Sequence, residues 1–191
     1  MLPRDALVVA VRELPAHRRR GLAFRLILAC YAATALSSIG SLRAGGRYNM
    51  RGELEALYLA SSPVTALREV EALVETAERL RGVKGPPRIL PSIEYDLSAV
   101  VDLTDSAIQH LLSTSVAELC APWRALNAAG LPAPTQMLGS VAHELSVIEA
   151  LRVPSARDPT TDNLVIFPDR LHPTTTVRVF DDSGLIDARL P

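Results

Sequence analysis

Several features that would announce a chemistry are scarce in this chain of 191 residues. It has two cysteines, Cys30 and Cys120, each alone among apolar or small residues, with neither a CxxC pair nor a Cys/His cluster nearby. That argues against a disulfide framework and a zinc site, and for two reduced core thiols in a cytosolic protein. The histidines at 17, 110, 143 and 172 show no metal-ligand spacing, and His110 and His143 are expected on helix surfaces. Twenty Lys+Arg against 21 Asp+Glu leave a formal net charge of -1, so bulk charge gives no support to non-specific nucleic-acid binding. No GxGxxG follows a strand-like run, which disfavours a hydride-transferring dinucleotide enzyme. Internal repeats and low-complexity tracts are also lacking. A long apolar span is missing too. His17 to Ser38 has the outline of a signal peptide, but it begins after sixteen residues and Arg25 interrupts it. What remains is too short to cross a bilayer. The expectation is a cytoplasmic protein without a membrane segment.

What is present fits one domain with a buried core: hydrophobic residues make up 48% and charged residues 21% of the chain. DALVVAVRE (residues 5–13) is a short apolar element before Pro15. AFRLILA (residues 23–29) suits a buried strand, with a helix as the alternative. Glycines at 40, 45 and 46 mark a connection. LEALYLA (residues 54–60) reads as a strand, and Ser62-Pro63 as an N-cap with a first-turn proline. The helix that follows is expected to reach Leu80, ahead of GVKGPP. At about 100° per residue its apolar side gathers Leu67, Val70, Leu73, Val74, Ala77 and Leu80, with Arg68, Glu71, Glu75 and Arg79 opposite and Glu69 at the border. Residues 88–105 read as extended structure leading to a helix capped near Thr104. Helical stretches are expected near 115–128 and 135–150, a strand at NLVIFP, and a C-terminal hairpin around DDSG. Strands at both ends with helices between predict an α+β fold around a mixed, mainly antiparallel sheet with flanking helices.

The chemistry concentrates in GGRYNMRGELEALYLASSPVTALREV, residues 45–70. Gly45-Gly46 is either a simple turn or a place where backbone N–H groups approach an anion. Arg47 is a candidate phosphate fork. Tyr58 carries a hydroxyl that needs a partner if buried. Glu69 sits where a partly desolvated carboxylate would face a cleft. Arg25, in an apolar run, requires an anion or a carboxylate such as Glu69. Ser155 in VPSAR is a loop or capping serine on its own.

Together these blocks resemble the RES-domain family, named for its arginine, glutamate and serine, which supplies toxins of RES–Xre toxin–antitoxin pairs. The family pattern has an aromatic-Arg pair, GGRWN-x-x-G, a strand ending in Tyr, a helix with a glutamate, a PSAR-like serine and N-[LV]-V-x-[FL]. Phe24-Arg25, Gly45 to Asn49 with Gly52, Tyr58, Glu69, Pro154 to Arg157 and Asn163 to Phe167 fit in that order. APWR (121–124) with Thr135-Gln136 is similar to the middle of the pattern. The likeness spans about residues 22 to 170, with a short N-terminal element and the C-terminal hairpin attached to a single RES domain, 1–191. Tyr48 stands where the family usually has tryptophan, and MRGELEA is more charged than the family's Pro-rich link.

The resemblance implies an ADP-ribosyltransferase-like fold and a toxin that consumes NAD. Such toxins cleave the nicotinamide–ribose bond with phosphate as acceptor, giving nicotinamide and ADP-ribose-1''-phosphate, or transfer ADP-ribose to a protein. NAD is then a substrate, phosphate the expected co-substrate, and no cofactor or metal is implied. Nicotinamide leaves as a neutral group, so the need is a carboxylate to stabilise an oxocarbenium-like ribose. Glu69 takes that role, with Glu75 and Glu71 as alternatives. The implied catalytic set is Arg47, Glu69, Tyr58 and Ser155. Arg25, Gly46, Tyr48, Asn49 and Asn163 are implied to hold NAD, with Arg25 and Arg47 on the diphosphate. Tyr58 would stack on nicotinamide or bond ribose, Tyr48 would pack beneath it, and Ser155 and Asn163 would position the acceptor or ribose. The implied partner is an Xre-type helix-turn-helix antitoxin that occludes the cleft. A catalytically silent antitoxin-binding protein is the alternative from another class.

Overall fold

A computed structural model describes residues 1–71, 73–75, 80–82, 84–145, 147–182, 184 and 186–191. In chain order the elements are α1 (Arg4–Arg12), β1 (Ala16–Phe24), β2 (Ile27–Leu28), a 3-10 segment (Ala29–Thr34), α2 (Ile39–Ala44), β3 (Leu57–Ala60) and α3 (Pro63–Glu69). The hairpin β4 (Leu73–Glu75) and β5 (Leu80–Gly82) follows, then β6 (Arg88–Ile89) and the long β7 (Ser92–Asp102). Helices α4 (Ser106–Leu111), α5 (Val116–Leu119), α6 (Trp123–Ala128) and α7 (Pro134–Glu144) precede β8 (Ala150–Pro154) and β9 (Asp162–Ile166). A 3-10 turn (Pro168–Arg170), β10 (Thr176–Phe180) and β11 (Arg189–Leu190) end the chain.

One mixed sheet organises these elements. β1 runs antiparallel to β7 and touches β3 through Phe24 opposite Ala60. β3 pairs antiparallel with β9 and β9 with β8, and β8 returns to β7 in parallel, Val100 beside Ala150. Five strands therefore close on themselves, while β10 and β11 extend from the first half of β7. Alternation across each strand divides the interior in two, because successive side chains point to opposite faces. Leu57, Leu59, Ile93, Leu97, Val100, Leu164 and Ile166 form one core. Val101, Leu151, Val153 and Val165 face the other way, onto Leu7 and Val11 of α1, Leu112, and Leu138 and Val141 of α7. The expected α+β class with a mainly antiparallel sheet is what the chain adopts.

Several boundaries differ from the sequence-based expectations. DALVVAVRE is helical: Leu7 and Val11, one turn apart, are its buried pair. The AFRLILA run does not continue as one strand. β1 stops at Phe24, and Arg25 occupies the corner before β2, where its Nη1 donates to the carbonyls of Ala35 and Ser37, each at 2.8 Å. The helix expected to reach Leu80 ends at Glu69, and Glu71 then adopts a left-handed φ of 55°. Its buried residues are Thr65 and Ala66, whereas Leu67 is half-buried and Val70 exposed, so these two members of the expected apolar stripe are not the packed face of the helix. Ala77 and Arg79, assigned to the two sides of that longer helix, lie outside the described residues. The 115–128 stretch is two short helices, and α7 stops at Glu144 because Ala150 already belongs to β8. Asp105, next to Thr104, caps α4 as the expected cap near that position. Cys30 is exposed, so it is not a core thiol. Among the described residues no helix is long and apolar enough to cross a membrane.

Candidate functional site

The loop after α2 is held rigidly by its own sequence. Gly45 ends the helix with φ +73°, a conformation that favours glycine. Gly46 N–H donates to Asn49 O at 2.8 Å. A Cβ at Gly46 would lie 2.5 Å from the Tyr58 hydroxyl and 2.6 Å from Asn49 Oδ1, so only glycine fits. The Tyr58 hydroxyl accepts from Tyr48 N–H at 2.9 Å and donates to Asn49 Oδ1 at 2.8 Å. Asn49 in turn donates to Ser41 O at 2.9 Å and Leu54 O at 3.2 Å. From the far side, Gln136 Nε2 in α7 donates to Gly46 O at 3.0 Å. Helix α7 also comes so close at Gly139 that a Cβ there would sit 1.8 Å from Tyr48 O. Burial pushes the Tyr48 and Tyr58 phenols well above the usual tyrosine range, with Arg47 opposing, so both stay protonated.

This frame presents Arg47. Its Nη1 donates to Leu119 O at 3.2 Å and to Ala121 O, carbonyls at the α5–α6 junction. The remaining N–H groups of the guanidinium meet no carboxylate among the described residues. Arg25 is in the same situation: burial lowers its pKa, and its partners are the two carbonyls of its corner. The Arg25–Glu69 salt bridge weighed from the sequence does not form.

Glu69, the last residue of α3, is oriented from two other elements. Its Oε1 accepts from Ser155 Oγ and from Asn163 Nδ2, both at 2.7 Å. Ser155 Oγ itself accepts from Arg157 N–H at 3.2 Å and Asp158 N–H at 3.1 Å, so the hydroxyl has one direction left in which to donate. Asp158 pairs with Arg68 Nη1 at 2.7 Å, which fixes the end of α3 against the β8–β9 connection. Oε2 of Glu69 meets no protein donor among the described residues. Asn163 Oδ1 is buried and unpaired.

Arg25, Gly46, Arg47, Tyr48, Tyr58, Glu69 and Asn163 all line one cleft of about 700 Å³. Two expected ligand-contacting residues do not reach it. Asn49 is fully buried and spends its amide on the loop, and Ser155, 2% exposed, acts on Glu69 from behind. Tyr48 turns its ring into the helix-facing core, and the Tyr58 hydroxyl is already committed, which leaves ribose bonding by that group without a donor. The wall also holds Cys120, Trp123, Arg124 and Arg157, to which sequence reasoning gave no role. APWR was the signal available for two of these, Trp123 and Arg124. Burial pushes the Cys120 thiol up, Arg47 opposes and Glu69 adds to the shift, so the thiol lies within electrostatic reach of both charges.

A mixed α+β domain with a cleft of about 700 Å³, two arginines that meet no carboxylate among the described residues and one oriented carboxylate is the class these features define. The RES domain family model matches residues 22–185, and the chain belongs to that family. The fold is similar to that of a chain in the crystal structure of the M. tuberculosis MbcT-MbcA toxin-antitoxin complex. The TM-score is 0.66 at 19% identity, with 93% of this chain and 90% of that chain covered. No curated protein matches the chain.

Proposed function

We propose that this protein is the toxin of a toxin–antitoxin pair, acts in the cytoplasm, and depletes NAD by cleaving its nicotinamide–ribose bond. Inorganic phosphate is the proposed acceptor. The observation that carries the reading is Glu69: Ser155 and Asn163 hold its Oε1, and its Oε2 meets no donor among the described residues in a cleft bearing Arg25 and Arg47. A cleft of this volume is of the size that ordinary small-molecule sites have.

In this reading the arginines bind the diphosphate, and Glu69 stabilises positive charge that develops on the ribose as the C1''–N1 bond breaks. The bonding electrons leave with neutral nicotinamide, so no proton donor is needed. A phosphate oxygen then bonds to C1'' and yields ADP-ribose-1''-phosphate, losing its proton to solvent. The pre-set carboxylate needs little reorganisation, which is the physical advantage of the Ser155–Asn163 clamp.

The similarity to a chain of a toxin–antitoxin complex supports an antitoxin partner, here proposed to be of the Xre helix-turn-helix type and to cover the cleft. Purified protein incubated with NAD and phosphate is expected to release nicotinamide in proportion to phosphate. Folded protein that leaves NAD intact would overturn the reading. An ADP-ribosyl mass on a cellular protein would move the assignment to a transferase. Toxicity unchanged by Glu69→Ala and Arg47→Ala would move it to a catalytically silent binder.

A further inference from the structure

Trp123 is the one tryptophan of the chain and stands on the cleft wall at the start of α6. Its backbone N–H donates to Ala121 O at 2.8 Å, the same oxygen that receives Arg47 Nη1. One carbonyl therefore ties the backbone of Trp123 and the candidate phosphate fork together. Arg124 lays its guanidinium over one indole face, 4.6 Å from the ring centroid. That spacing admits no ring between them, so a ligand can stack only on the opposite face.

Glu69 is anchored elsewhere, to Ser155 beyond β8 and Asn163 in β9. Glu69 and Trp123 are thus carried by different segments of the cleft lining, and Arg47 is bonded to the α5–α6 junction that carries Trp123. A dinucleotide whose reacting ribose meets Glu69 and whose phosphates meet Arg47 has its second nucleobase left to place beyond the phosphates. We infer that Trp123, backed by Arg124, is the stacking platform for the adenine ring of the substrate, an inference that rests on the proposed NAD-cleaving function. Aromatic rings stack on purines largely without hydrogen-bond readout, so the platform supplies affinity and leaves the chemical step to Glu69.

The lone indole reports directly on this contact. AMP titrated into the wild-type protein is expected to quench tryptophan emission saturably, and nicotinamide mononucleotide to leave it nearly unchanged at equal concentration. Trp123→Ala is expected to raise KM for NAD about tenfold with kcat changed less than twofold, and Trp123→Phe to keep most of the affinity. Absence of quenching by AMP, or quenching by nicotinamide mononucleotide alone, overturns the assignment even if Trp123→Ala fails to fold. So does an unchanged KM in folded Trp123→Ala. NAD turnover without AMP quenching removes the platform but keeps the proposed function; AMP quenching without turnover does the reverse.

Discussion

Ser155 Oγ donates to Glu69 Oε1 across 2.7 Å, joining the β8–β9 connection to the end of α3 over 86 residues of sequence. A hydrogen bond to a charged acceptor contributes about 1.5–3 kcal/mol. If catalysis depends on that orientation, Ser155→Ala lowers kcat for NAD about ten- to a hundredfold with KM little changed. Glu69→Gln is expected to cost more, because it removes the charge itself. Steady-state kinetics with circular dichroism as a folding control checks both, and a kcat near wild type in Ser155→Ala would rule out the positioning role.

Tyr48 of the site loop and Tyr58 of β3 predict opposite outcomes for the same chemical change. Tyr58→Phe strips a hydroxyl bonded to both Tyr48 N–H and Asn49 Oδ1, leaving a buried donor and acceptor unsatisfied. The expected loss is about 1–3 kcal/mol. The Tyr48 hydroxyl is buried with no partner, so Tyr48→Phe is expected to be neutral or to stabilise by up to about 1 kcal/mol. Urea midpoints of the two variants should fall on opposite sides of, or in the second case coincide with, the wild-type value.

Gly139 is required for packing rather than for a turn. A methyl group there meets Tyr48 O at 1.8 Å, and the obstacle is backbone, which cannot rotate away. Gly139→Ala is expected to destabilise by about 1–3 kcal/mol or more and to disturb the Arg47 loop. Gly40→Ala, where an added Cβ meets nothing within 4 Å, is the matched control. Equal unfolding midpoints for the two would show that α7 does not press on the loop.

The Asp158 carboxyl is held below its usual value by the hydroxyl of Thr160, with burial opposing and the Thr160 amide and Arg68 adding. Its folded pKa is depressed, so its contribution to stability is complete above the ordinary value of 3.8 and is lost as pH falls through the folded pKa. Asp158→Asn is therefore expected to be less stable than wild type at pH 7, with the gap closing below about pH 4. Denaturant midpoints at both pH values test it; a gap that widens in acid contradicts the linkage.

Thiol labelling should separate the two cysteines. Cys30 is exposed, whereas the Cys120 thiol lies on the cleft wall with its pKa pushed up by burial. At pH 7.5 iodoacetamide is expected to modify Cys30 well before Cys120, and ADP-ribose to slow only the second reaction. Peptide mass spectrometry reads both rates.

Much of the site could be read from one dimension. Ser62-Pro63 signalled the start of α3, and Ser62 Oγ indeed accepts from Thr65 N–H at 3.0 Å. Arg25, Arg47, Tyr58 and Glu69 were all picked out by residue type and order, and all four meet in the cleft. Errors arose where a neighbour overrode local preference. The helix drawn to Leu80 is cut at Glu69, where Arg68 and Glu69 are pinned to the β8–β9 connection. The run expected as one strand breaks at Arg25, whose guanidinium bonds the carbonyls of Ala35 and Ser37 further along the chain.

What the sequence determined by itself was the roster: which residue types stand in which order, and which caps and glycines bound the local elements, because these depend on interactions a few residues apart. Only the tertiary structure decided which polar groups face a ligand and which face one another. Asn49 and the Tyr58 hydroxyl turned inward, Ser155 went behind Glu69, and Trp123 came forward beside Arg47. Each outcome depends on hydrogen-bond partners from distant segments, and a polar side chain's direction is fixed by the partner that satisfies it.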